Sequence, residues 1–405
     1  IGLTLIAIGS GGIKPCVSAH VGDQFGRKNW FKLASVYQFF YFIINFGSFF
    51  STLFIPLVKE YYGYSVAFAI PGILMAIATV FFWMGRKVFI HVPAQPGGKM
   101  GFIDASVGTL LATSLLVPLI LKEALELSLF FTTSFSVISF VSGLVLFNLR
   151  QRQKESNGLL AIMLTSFGFG RNNPSSQGQT VEASGRFRHH WFWKRAAKKF
   201  GDEALEGPNA VLKIMGIFFC VSIFWALFDQ HASSWIRQAQ LMDRDVNFFG
   251  YQFNILPEQI SAINPILVMI LIPFSSLVIF PAVKKLGFNV TALRKMTVGM
   301  LIAAASFVIV AIAQEKIEAG QNVSILWQLA AYLVITLAEV LVSITGLEFA
   351  YSQAPKDMKS VIMGFWLLTV SFGNVLTALI YETFAGTQLS QTFWMFSGLM
   401  AVAGV

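Results

Sequence analysis

Residues 324–348 read SILWQLAAYLVITLAEVLVSITGLE, and this stretch decides the fold class. As an α-helix it is long enough to cross the ~30 Å hydrocarbon core of a bilayer. Before its last residue it holds one charge, Glu339, which stands well inside both ends. Comparable runs recur at 1–19, 34–58, 66–85, 103–121, 127–149, 210–228, 260–283, 296–314, 360–381 and 389–405, so eleven spans are expected. Composition agrees: 55% of the residues are apolar and only 12% are charged, a balance foreign to soluble domains of this length. Gly72, Pro265 and Pro273 lie inside the runs, where neighbouring helices re-satisfy the backbone groups they free. A β-barrel would need alternating segments of about ten residues. The expected class is therefore an all-α, multi-pass membrane protein. Because the chain opens on Ile1 and stops at Val405 inside apolar runs, we expect a fragment truncated at both ends. Cys16 and Cys220 both fall in apolar runs, which gives neither a disulfide framework nor a metal site.

Charge sets the expected orientation. If the first run ends in the cytoplasm and the rest alternate, the connections at 20–33, 86–102, 150–209, 284–295 and 355–359 are cytoplasmic, and they carry 22 of the 29 Lys and Arg. Lys59, Lys122, Arg237, Arg244 and Lys316 fall outside, while Lys14 and Lys213 lie in or at the edge of runs. This is the positive-inside pattern. It accounts for the net +9 without a nucleic-acid partner. The connection at 150–209 is far longer than the others. Its middle, Asn172 to Arg186, is rich in Ser, Gln and Gly, a composition of flexible linkers. Its end mixes aromatics with cations: His190-Trp191-Phe192-Trp193-Lys194-Arg195, then Lys198 and Lys199. Two readings fit that end equally: a helix at headgroup depth on the inner membrane face, or one packed against the floor of the helical bundle.

Chemistry in such a chain belongs where charge interrupts apolar runs, because an ionisable group there costs a few kcal/mol or more. Three residues qualify. Lys14 shares a helical face with Ser10 and Ser18, Asp229 follows Trp225 by one turn, and Glu339 precedes Ser343 by one turn. Asp229 sits near the end of its run, where water is within reach, and Lys14 has the option of snorkelling to the cytoplasmic surface. Glu339 has no such escape.

The strings around these residues are specific. Gly9-Ser10-Gly11-Gly12-Ile13-Lys14-Pro15-Cys16-Val17-Ser18, with Gly22-Asp23-Gln24-Phe25 after it, resembles the fourth-helix signature of the proton-dependent oligopeptide transporters, a family within the major facilitator superfamily. Phe40-Tyr41-Phe42-Ile43-Ile44-Asn45-Phe46-Gly47-Ser48 looks like the family's fifth helix, and Phe224-Trp225-Ala226-Leu227-Phe228-Asp229-Gln230 like its seventh. Gly346-Leu347-Glu348-Phe349-Ala350-Tyr351-Ser352-Gln353-Ala354-Pro355 is similar to the exit of the tenth, and Gly364-Phe365-Trp366 suggests the eleventh.

The resemblance implies a major facilitator bundle of twelve core helices, with a two-helix hairpin inserted between its halves. On that plan 1–86 is the remainder of the amino-terminal half (core helices 4–6), 87–150 the hairpin, 151–209 a cytoplasmic linker, and 210–405 the carboxy-terminal half (core helices 7–12, the last incomplete). The first three core helices, the first of which bears an acidic and basic coupling motif in the family, would be absent. The implied activity is proton-coupled symport of di- and tripeptides across a bacterial inner membrane by alternating access. No cofactor beyond the proton is implied, and the unit is expected to work as a monomer in the bilayer.

The residues fit that chemistry. A peptide is a zwitterion, so its site needs a cation and an anion. In the family, equivalents of Lys14 take the carboxylate, and those of Glu339 and Asn264 take the amine. Tyr41 and Asn45, one turn apart, are expected to hydrogen-bond the peptide unit. Ser343 joins the substrate-binding residues, and Trp225 and Trp366 are expected to line pockets for varied side chains. Coupling is expected from pairing of Glu339 with Lys14 in the empty site. Peptide arrival breaks the pair, Glu339 is protonated, and the halves rock. Asp229, with His231 beside it, is where the proton is expected to enter from outside. A relative carrying nitrate or another small anion or zwitterion is the alternative within the class. Outside it, a receptor or scaffold remains, whereas an intramembrane enzyme would need a nucleophile and base or a metal cluster, and the runs offer no such pattern.

Overall fold

The computed structural model describes residues 2–26, 28–91, 97–124, 128–151, 159–168, 187, 189–248, 250–354, 359–384 and 386–405. In chain order the helices are α1 (Gly2–Asp23), α2 (Leu33–Gly85), α3 (Gly98–Ala124), α4 (Leu129–Gln151), α5 (Leu159–Ser166), α6 (Lys194–Phe200), α7 (Glu203–Phe228), α8 (Ser234–Gln240), α9 (Ile263–Phe274), α10 (Phe280–Lys285), α11 (Ala292–Glu318), α12 (Leu326–Glu339), α13 (Thr345–Gln353), α14 (Lys359–Thr383) and α15 (Leu389–Ala403). Two short strands, β1 (Asp245–Phe248) and β2 (Tyr251–Asn254), pair antiparallel with Asp245 opposite Asn254.

Among the described residues, seven helical stretches are long and apolar enough to cross a membrane: Leu33–Gly85, Phe130–Arg150, Glu203–Gln240, Pro257–Lys285, Ala292–Glu318, Leu326–Gln353 and Ile362–Thr383. The first holds two of the expected spans, 34–58 and 66–85. They are separated inside α2 by Gly63, at φ 79° and ψ 174°, a backbone conformation that only glycine adopts without strain. Helix also covers 2–19, 103–121 and 389–403 of three further runs, in α1, α3 and α15. The all-α membrane class thus stands. Three features were not expected: α5 inside the long connection, α8, and the small β1–β2 hairpin that follows α8. The Gly250 backbone at the hairpin's turn has φ 86°.

The described chain forms two compact units, residues 1–90 with 211–405, and residues 91–210. In the second, α3 and α4 run antiparallel. Gly143 lies against Leu110 and Leu111, and the buried Arg150 closes on Asp104 with two hydrogen bonds of 2.9 and 3.3 Å. In the first, α2 packs on α9, α1 on α14, and α11 on α12 and α15. Small residues set the closest approaches, as is usual where lipid supplies no hydrophobic drive between helices. A Cβ on Gly299 of α11 would meet Val342 at 2.7 Å and the Ala338 carbonyl at 3.1 Å, so α11 presses directly on the end of α12. A Cβ on Gly373 of α14 would meet the backbone of α7 at Ser222 and Ala226, 2.6 and 2.8 Å away. These two contacts hold in place the segments that carry Glu339 and Asp229. Pro281 and Pro273 flank a π-helical turn, Ser275–Ile279. A second π turn, Val340–Ile344, follows Glu339 directly without any proline.

Candidate functional site

Glu339 is the last residue of α12, at the point where the helix widens into its π turn. Such bulges rotate the residues beside them and recur at functional positions. Its side chain is 4% exposed, so each carboxylate oxygen requires a partner. One oxygen accepts a 2.5 Å hydrogen bond from the Tyr41 hydroxyl of α2. The other accepts a 2.7 Å bond from the Asn264 side-chain amide of α9, whose nitrogen also reaches the Thr336 hydroxyl at 3.1 Å. Three helices far apart in sequence therefore converge on one carboxylate, and both of its partners are neutral. Val268, Leu271, Ile272, Val340 and Ile344 form an apolar cluster against which Tyr41 and Phe42 pack. A carboxylate has about four acceptor positions, so an amine is a chemically suitable further donor here.

The remaining expected residues fall at various distances from this centre. Ser343 is buried within the π turn. Asn45 is also buried, and its amide donates to the Tyr41 carbonyl at 2.9 Å, bracing α2 where Tyr41 departs. Lys14 has an exposed side chain on α1, and its carbonyl accepts from Ser18. The structure does not bring Lys14 to Glu339: among the described residues the ion pairs are Arg150–Asp104 and Lys359–Asp23. Trp366 is packed between helices, its ring against Gly346 and edge-on to Phe218 at 5.5 Å, and at 4% exposure it leaves no open face in this conformation. Trp225 is half-buried beside Phe224 and Phe228, with its indole N–H buried and unpartnered. Asp229 accepts a 2.9 Å bond from Asn374 of α14. His231 sits over Phe228, and its backbone carbonyl accepts from Tyr332 at 2.7 Å.

Sequence reasoning missed a second junction, where α1 and α2 meet α13 and α14. At the end of α1, Asp23 accepts from the Tyr351 hydroxyl at 2.9 Å, and Lys359 at the start of α14 donates to that hydroxyl at 2.8 Å while lying 4.0 Å from Asp23. Tyr37 packs beside Tyr351, with ring centroids 5.8 Å apart, and donates to the Ser18 carbonyl at 3.0 Å. Gly22 makes room, since a Cβ there would collide with the Tyr351 ring and the Tyr37 hydroxyl. The signal was available: Asp23 and Lys359 are opposite charges at the ends of two apolar runs, which the positive-inside count absorbed as topology. Among the described residues no group of three or more His, Cys, Asp and Glu is placed to hold a metal ion.

Comparison with known proteins places this geometry in context. The model of the POT family matches residues 1–395. Human solute carrier family 15 member 2 is 32% identical over 325 residues, which cover 78% of this chain and 35% of that protein. The chain thus spans about a third of the length of the curated relatives it matches. Among solved structures, the in meso crystal structure of the POT family transporter PepTSo aligns over 100% of this chain and 76% of its own, with 35% identity and a TM-score of 0.67. An auto-inhibited POT family peptide transporter aligns with 33% identity and the same TM-score, covering 75% of its own chain.

Proposed function

Because the chain belongs to the POT family, we propose that it carries di- and tripeptides across a membrane together with protons, with Glu339 as the charge that couples the two. The observation that supports this most is the convergence on Glu339 of a hydroxyl from α2 and an amide from α9, while no cation pairs with it among the described residues. The peptide amine takes the place of the Tyr41 hydroxyl at Glu339 and keeps Asn264 as a neighbour. The peptide carboxylate goes to Lys14, which is exposed and so accessible to a ligand. Replacing the Tyr41 bond releases α2 from the end of α12, and α1 and α2 then move against the carboxy-terminal helices. A proton on Glu339 abolishes its charge and turns one acceptor oxygen into a donor, which disturbs the same contact. Proton and peptide therefore act on one junction. Asp229, held by Asn374, receives the proton on its way in.

We further assign the carrier to a bacterial inner membrane, working as a monomer, with the cation-rich connections on the cytoplasmic side. Proteoliposomes test the central claim. Wild-type protein should accumulate a labelled dipeptide when the lumen is alkaline, and Lys14→Ala should not, although it folds in detergent. Equal pH-driven accumulation by Lys14→Ala would remove Lys14 from the site.

A further inference from the structure

One segment of the second unit is built like a surface for a partner that the transport site does not use. We propose that Trp191 to Lys199 docks on anionic lipid headgroups of the membrane leaflet beside it.

The segment has two unlike faces. On one, Trp193, Ala196 and Ala197 are buried. α6 packs on α5, the Trp193 indole N–H donates to Asn209 at 3.3 Å, and Phe187 meets the Trp193 ring edge-on. On the other, Lys194, Arg195, Lys198 and Lys199 are all exposed, and Trp191 is 86% exposed. The buried face fixes the helix, so its four exposed cations share one face, Arg195 with its guanidinium against Gly168 just past the end of α5 and Lys199 over the Phe200 ring. Trp191 stacks on His190 at 6.3 Å with most of its surface open.

Charge complementarity and position name the partner. Four cations with an unburied indole match an anionic interface, where Lys and Arg meet headgroups and tryptophan sits at headgroup depth. Lys199 precedes by eleven residues the apolar run 210–228, in the helical stretch Glu203–Gln240 that is long and apolar enough to cross a membrane, so the cations lie close in sequence to where the chain enters the bilayer. Three carboxylates lie close by. Asp202 is buried, and Glu203 and Glu206 lie in the first turn of α7, where the helix N-terminus accommodates negative charge. They do not interleave with the cations of α6.

The test uses the purified protein, stripped of lipid and exposed to an equimolar mixture of phosphatidylglycerol and phosphatidylcholine, with retained lipids counted by native mass spectrometry. The variant carries Lys194→Gln, Arg195→Gln, Lys198→Gln and Lys199→Gln together. Its control neutralises four other residues of the cation-rich connections, Lys32, Lys284, Lys285 and Arg294, by the same substitution. Each cation near an anionic surface strengthens binding about fivefold, so the variant should lose phosphatidylglycerol preference by about tenfold or more, while the control keeps it. Thermal melting in phosphatidylcholine alone checks that both proteins are folded. Undiminished preference in the folded variant, or an equal loss in the control, would overturn the proposal. Neither result depends on peptide transport, so the outcome is separate from the fate of the proposed function.

Discussion

The helices α1 and α2 meet the carboxy-terminal helices at two polar junctions that differ in kind. At the centre, Tyr41 and Asn264 hold a buried Glu339 with neutral groups. At the end, Asp23, Tyr351 and Lys359 form an ion pair bridged by a hydroxyl, whose charged side chains are 19–20% exposed. A buried carboxylate without a cation is sensitive to anything that brings one or removes its charge, which is what a peptide amine and a proton do. A partly exposed ion pair is neutral as a set and screened by salt, so it answers to ionic strength and little to substrate. The central junction therefore suits a switch, and the end junction suits a latch of modest strength.

The sharpest way to break this contrast is Glu339→Gln, which keeps the shape and an acceptor but neither carries charge nor exchanges a proton. Concentrative dipeptide uptake under a pH gradient should fall to background. Exchange of labelled for unlabelled peptide at equal pH and high substrate should persist, because exchange needs no net proton movement. Gradient-driven accumulation equal to wild type would shift coupling to Asp229. Tyr41→Phe comes next in size. It removes one hydrogen bond to a charged acceptor, worth about 1.5–3 kcal/mol, and leaves Asn264 in place. Uptake should drop by about tenfold or more without loss of exchange, and an unchanged rate would mean that the α2 contact with Glu339 is incidental.

How much of this was legible in the sequence depends on the physics of each residue. Glu339 was visible because a charge mid-way through an apolar run has few innocent explanations. Asn264 and Tyr41 came through the family resemblance, and the structure sets both on the carboxylate. The expected Lys14–Glu339 pair did not appear, since charge and run position do not specify distance between helices. Trp366 is expected to line a pocket, and in this conformation its ring packs where Gly346 leaves room. The π turn after Glu339 has no marker of its own. The latch was hidden because Asp23 and Lys359 look like ordinary loop charges until folding brings them together. Of the 190–199 segment the structure shows one face packed on α5 and the other basic and exposed.

The smallest effect is expected at the latch, from Lys359→Gln, and it tests the other arm of the comparison. Glutamine retains a donor for the Tyr351 hydroxyl but removes the charge opposite Asp23. With both carriers partly exposed, the loss should be at most about 1 kcal/mol, a factor of about five in the population of the closed latch. Ser18 is a suitable reporter: it is 7% exposed, and Tyr37 closes on its backbone carbonyl. In a background with Cys16 and Cys220 replaced by serine, a cysteine at position 18 should react with a polar thiol reagent about two- to fivefold faster when Lys359→Gln is added. Raising salt to 1 M should speed labelling of the otherwise unaltered protein in the same direction, since the Debye length falls to about 3 Å. Salt should add little once Lys359 is gone. If labelling is slow and salt-independent in both proteins, packing of Tyr37 and Tyr351 closes this end and the ion pair is ornamental. If salt speeds both equally, the sensitive charges lie elsewhere, and the contrast between a neutral switch and an ionic latch fails on its weaker side.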